Sequence, residues 1–104
     1  MGKAVEISVF RPHQGKTKEF LDGYAEIKKI FLDAGVSQVQ VLAGSSGKDV
    51  GNIIVIQTFK SLADAGSVND ALGDNSSLEE WMDSHAHVGV ADLVSHDVYE
   101  VLED

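Results

Sequence analysis

The 104-residue sequence predicts a single α+β domain: one four-stranded antiparallel sheet with helices on one of its faces. Three observations carry this reading. Four segments of strand length alternate or run apolar, the segments between them switch to helical spacing, and the order is β-α-β-β-α-β.

Residues 4–10, "AVEISVF", have a period of two. Val5, Ile7 and Val9 fall on one face, taken as the helix-facing one; Glu6, Ser8 and Phe10 fall on the other. "RPHQG" ends the strand, because Pro12 cannot donate to a ladder and Gly15 loosens the backbone. Phe20, Tyr24, Ile27, Phe31 and Ala34 then recur at helical spacing, which predicts a helix over about 16–34 with Gly35 as its C-terminal cap. "VSQVQVLAG", 36–44, alternates again. It is joined through the turn "GSSGKDVG", 44–51, to the β-branched run "NIIVIQTF", 52–59. Ser61 with Asp64 opens a second helix, weakened by Gly66. Ser77 with Glu80 forms a cleaner capping box for a third helical segment, which Gly89 is expected to end. "LVSHDVYEVL", 93–102, closes the sheet. With the second α segment split in two, the order is the ferredoxin-like βαββαβ arrangement.

Composition narrows the function classes. Hydrophobic residues make up 43%, enough for one core, and no run approaches the ~18 apolar residues of a membrane span. The chain has no cysteine, so disulfides, thiolate metal sites and a thiol nucleophile are excluded. Eight basic against 17 acidic residues give a net charge of −9, a field that repels nucleic-acid phosphates. No secretory leader is visible at the N-terminus, and a cytoplasmic location is expected. "GSSGKDVG" fails as a phosphate loop, because two residues instead of four separate Gly44 from Gly47-Lys48, and Asp49 follows.

Apolar residues occupy both faces of the strands. Ile54 and Ile56 lie opposite Ile53, Val55 and Phe59, and Phe10 and Leu42 lie opposite the helix-facing residues of their strands. A face of this kind calls for a cover, and a homodimer packed sheet against sheet is the expected one. An unidentified partner or the C-terminal tail is the alternative.

The stretch "RPHQGKTKEFLDGY" after the first strand, with its Pro-x-x-Gly-Lys turn and the pair Glu19-Phe20, resembles the dimeric α+β barrel superfamily. "DNSSLEEWMDSHAHVG" is similar to the tryptophan-bearing segment of families in that group, the antibiotic-biosynthesis monooxygenase-like and NIPSNAP-like families among them. The resemblance implies a homodimer whose two sheets form a barrel, each subunit holding a cleft between sheet and helices. It implies no single reaction, because members include cofactor-independent monooxygenases, haem-degrading enzymes, isomerases and proteins without known activity. Haem-degrading members place a histidine about three turns beyond the tryptophan. Here His85 follows Trp81 after one turn, which argues against that activity.

His85 and His87 lie about 200° apart on a helix and cannot share a ligand, so no metal site is expected. Trp81 and His85 do share a face. Together with Leu78 and Met82 they read either as a packing stripe or as an aromatic wall with a titratable group beside a cleft. His96, in the last strand, reads either as a hydrogen-bonded structural group or as a group reaching a cavity on the sheet. The expected catalytic set is therefore His85, Trp81 and His96. The expected substrate-binding set is Arg11, Tyr24 and Phe10, with Arg11 holding an anionic oxygen. The first function expected is a small oxygenase or isomerase acting on a compact aromatic or polyketide-like molecule with no tightly bound cofactor. In it a base removes a substrate proton and the anion passes an electron to O₂. The alternative is a non-catalytic dimer that holds a small ligand or regulates a partner.

Overall fold

The computed structural model describes residues 2–81 and 89–104. The elements run β1 (Ala4–Pro12), α1 (Thr17–Asp33), β2 (Gln38–Ala43), β3 (Ile53–Phe59), α2 (Leu62–Gly73), α3 (Ser76–Trp81) and β4 (Ala91–Glu100). The sheet order is β2-β3-β1-β4, antiparallel throughout. This is the ferredoxin-like α+β fold, with the second helical segment split as expected.

Local chemistry explains each boundary. Pro12 sits inside β1 rather than beyond it. His13 N–H donates to Val90 C=O at 2.8 Å, so the preceding residue's nitrogen points to the other side. There the pairing with β3 has already ended at Phe10↔Ile53, and the missing proline N–H costs no ladder bond. α1 ends in a glycine cap: Gly35 has φ 115°, and Val36 N–H reaches back to Phe31 C=O at 3.1 Å. Ser61 Oγ accepts from Asp64 N–H at 3.0 Å at the head of α2, while the Asp64 carboxylate accepts from Lys60 N–H. α3 starts at Ser76, one residue before the expected cap, because Asn75 C=O already accepts from Glu79 N–H at 3.0 Å. In the β2–β3 turn, a Cβ on Gly44 would stand 1.8 Å from Asp49 O, so only glycine fits.

The core lies between the sheet and α1 and α2. Phe20, Tyr24 and Ile27 of α1 and Ala65, Val68 and Leu72 of α2 pack on Ala4, Val39, Ile53, Val55 and Phe59. Phe59 and Val55 are fully buried, each contributing about 1.5–3 kcal/mol through apolar burial.

One expectation is reversed. The helix-facing side of β1 is Ala4, Glu6, Ser8 and Phe10, not Val5, Ile7 and Val9. Glu6 is buried beneath α2, and the Phe10 ring packs at a tilt against Phe20 of α1. Cross-strand pairs share a face, so Ile54 and Ile56 lie with Val9 and Ile7, and Leu42 lies with Ile54, on the side away from the helices. Phe10 therefore leaves the outer face. That face still carries Val5, Ile7, Leu42, Ile54 and Ile56, joined by Tyr99 opposite Val5. Among the described residues no helix is long and apolar enough to cross a membrane.

Candidate functional site

A cleft of about 420 Å³ opens between the sheet and α1, within the ~300–1,000 Å³ range of small-molecule sites. Its wall is aromatic. Phe10 and Phe20 have ring centroids 5.1 Å apart, Phe20 and Tyr24 5.9 Å, and Tyr24 and Phe31 6.3 Å. The turn spacing on α1 places Phe20, Tyr24, Ile27 and Phe31 along one helical face, and Phe10 meets them from β1.

The floor is polar, and sheet register builds it. Glu6 and Gln57 are direct partners on β1 and β3, and Ser8 and His96 are direct partners on β1 and β4. Ser8 Oγ lies 3.2 Å from His96 Nδ1, and His96 Nε2 lies 3.7 Å from Glu6 Oε2. Asn69 of α2 donates its Nδ2 to Glu6 Oε1 at 3.1 Å. A serine hydroxyl both donates and accepts, so Ser8 satisfies His96 Nδ1 in either neutral tautomer. The Glu6 carboxylate is buried, whereas the His96 side chain is 47% exposed at the cleft. Burial pushes the Tyr24 phenol up to about 12; the Glu6 charge adds to this, and the neighbouring Gln57 amide opposes it. Tyr24 is therefore a neutral hydroxyl near pH 7, able to hydrogen-bond but not to act as a base.

The spatial order Ser8, His96, Glu6 is not a nucleophile triad. Ser8 sits mid-ladder between β3 and β4, where backbone N–H groups are committed to the sheet and supply no oxyanion hole. Among the described residues, no three histidine or carboxylate side chains converge in metal-ligating geometry.

Of the residues singled out in the sequence, Phe10, Tyr24 and His96 line the cleft together. Arg11 does not; it is exposed at the end of β1, level with Asp92. An arginine clamp on a ligand anion therefore has no place in the site. Trp81 is the last residue of α3, and its side chain lies outside the description. His85 lies outside the described residues. Glu6, Ser8, Gln57 and Asn69 were not singled out. Their signal was faint: a glutamate and a glutamine each interrupting an apolar strand, meaningful only once register sets them side by side.

Beside Val90 and Ala91 of the cleft lining lies a clasp. The His13 ring bonds Gly89 C=O through Nδ1 and faces Asp92 Oδ1 at 3.1 Å through Nε2, tying the β1–α1 turn to the start of β4. Both partners are acceptors, so only the imidazolium satisfies both. The Asp92 hydrogen bond, followed by the Gly89 carbonyl, raises the His13 pKa above its ordinary value.

No family model matches the chain, and no curated protein does. Solved structures do. A NIPSNAP family protein of unknown function from Agrobacterium tumefaciens superposes with a TM-score of 0.74 at 13% identity, over 96% of this chain and 88% of that one. A mutant of SnoaB, a cofactor-independent oxygenase from Streptomyces nogalater, superposes at 0.75 and 15% identity, over 100% and 97%. A putative antibiotic biosynthesis monooxygenase from Chloroflexus aurantiacus superposes at 0.71 and 15% identity, over 98% and 95%. The chain thus has the fold shared by NIPSNAP-family and antibiotic-biosynthesis-monooxygenase-like proteins, the superfamily its strand-to-helix turn resembles.

Proposed function

We propose that the cleft binds a compact aromatic molecule and removes a proton from it, as the first step of a cofactor-independent oxygenation or isomerisation. One observation carries the reading: an imidazole flanked by a buried carboxylate and a hydroxyl, set in the floor of a cleft walled by aromatic rings. In the tautomer with Nδ1–H donating to Ser8 Oγ, His96 Nε2 offers its lone pair to the cleft. Taking a proton creates an imidazolium, and the Glu6 carboxylate 3.7 Å away stabilises it. Asn69 keeps that carboxylate in place. The substrate carbanion then transfers an electron to O₂. Recombination gives a hydroperoxide, and loss of water leaves a carbonyl, so one oxygen atom enters the product and the other leaves as water. SnoaB, a cofactor-independent oxygenase of the same fold, supports this choice of chemistry.

The outer sheet face is proposed as the seat of a second copy. Val5, Ile7, Leu42, Ile54 and Ile56 form an apolar surface on the side of the sheet away from α1 and α2. The superfamily resemblance implies the same sheet-to-sheet pairing.

The test is oxygen uptake and product formation with anthrone-type and hydroxynaphthalene substrates. His96→Ala is expected to lower turnover by about 10²–10⁴-fold with binding retained. Equal turnover by the variant would sink the assignment. The half-open position of His96 favours a second reading, in which the cleft only holds its ligand. Tight binding without multiple turnovers by the pure protein would select it.

A further inference from the structure

We infer that the cleft takes a cationic ligand, an aromatic molecule carrying a protonated amine, and that the Glu6 carboxylate pairs with that charge. The inference rests on the cleft being a ligand site and adds the charge its ligand carries. Glu6 is buried, yet its side chain lines the cleft and keeps 9% of its surface accessible. Its Oε1 accepts from Asn69 Nδ2 at 3.1 Å. Its Oε2 is turned toward Nε2 of His96, a half-exposed residue of the cleft lining, at 3.7 Å, beyond hydrogen-bond length. A carboxylate oxygen accepts two donors, so Oε2 has room for one that enters from the cleft.

A carboxylate held in this setting calls for a cation, and the fold does not provide a permanent one. Among the described residues no lysine or arginine pairs with Glu6, and none lines the cleft. The sequence of residues 82–88, MDSHAHV, adds neither. His96 is charged only when protonated. Glu19, the other carboxylate of the lining, faces Lys16 at 3.7 Å, so Glu6 sets the sign of the floor. The wall registers that sign: burial first, with the Glu6 charge adding to it, keeps the Tyr24 phenol from ionising. A floor that disfavours a phenolate also disfavours an anionic ligand, and one that stabilises an imidazolium also stabilises a ligand ammonium. The rings of Phe10, Phe20 and Tyr24 act in the same direction, because aromatic faces attract cations. A charged donor, moreover, makes a hydrogen bond roughly twice as strong as a neutral one.

Calorimetric titration with three naphthalene probes of one shape tests this: 1-naphthylmethylamine, 1-naphthylmethanol and 1-naphthoic acid. The wild type is expected to bind the ammonium form of the amine about tenfold or more tightly than the neutral alcohol, and to bind the carboxylate most weakly. In Glu6→Gln, which keeps an acceptor for Asn69 and removes the charge, the amine and the alcohol should bind alike. Equal binding of amine and alcohol by the wild type overturns the inference and leaves the ligand site standing, as does a preference that survives in Glu6→Gln. Failure of all three probes to bind overturns the ligand site and the inference with it. If Glu6→Gln does not fold, salt decides on the wild type. Pairing with a nearly buried carboxylate keeps most of the preference at about 0.5 M salt, whereas attraction to the surface charge is screened there. A preference lost at that salt overturns the inference.

Discussion

Replacing Ile56 by lysine tests the outer sheet face at its centre. Ile56 lies between Ile7 on β1 and Gln40 on β2, on the side of the sheet away from both long helices. In the monomer a lysine there can reach water from the half-buried outer face of the strand and leaves the core of Val55 and Phe59 intact. In a two-fold dimer the same position is buried twice. Losing one isoleucine side chain from an apolar interface removes about 1.5–3 kcal/mol. Symmetry doubles this to about 3–6 kcal/mol, or roughly 10²–10⁴-fold in the dimer dissociation constant. Burying two ammonium groups adds to the loss. Sedimentation across a concentration series should show the wild type at about twice the 11.1 kDa chain mass and the variant at the chain mass, with an unchanged circular dichroism spectrum. A wild type that stays at the mass of one chain at high concentration refutes the reasoning, and so does a lysine variant that dimerises as before.

Two further predictions concern the fold and its clasp. Phe59→Ala should cost about 3–5 kcal/mol of stability in denaturant titration, because the side chain is fully buried and α2 follows it directly; a loss under 1 kcal/mol would mean the core closes over the gap. The His13 imidazole should titrate above 6.5 when followed by NMR, and Asp92→Asn should bring it down, because the Asp92 hydrogen bond is the main cause of the rise. A raised folded-state value means that the clasp's stabilisation is fully present below 6.5 and is lost as pH rises through the raised value. An unshifted His13 in the wild type would remove the clasp.

The order of elements was legible because each signal is local. The spacing of Phe20, Tyr24 and Ile27 needs only the helical period, Gly35 needs only the cap, and the β-branched run 53–56 needs only strand propensity. The facing of β1 was not legible. Alternation shows that Val5, Ile7 and Val9 share a side, but with apolar residues on both faces it does not say which side meets the helices. The site required the opposite of the usual assignment, since Glu6 and Ser8 face the helices to form the polar floor of a cleft. The partnership of Glu6 with Gln57, 51 positions apart in sequence, belongs to register, which no single segment carries. His96 was visible as a strand histidine, but its neighbours were not. The aromatic–histidine pair Trp81 and His85 is a claim about side chains outside the described residues.

The most direct measurement is a chemical-shift map of the labelled protein titrated with 1-naphthol. The cleft account predicts saturable shifts at Phe10, Tyr24, Gln57 and His96, with Leu42, Ile54 and Ile56 unmoved. Shifts centred on the outer-face residues, or none along the cleft at saturation, would contradict it.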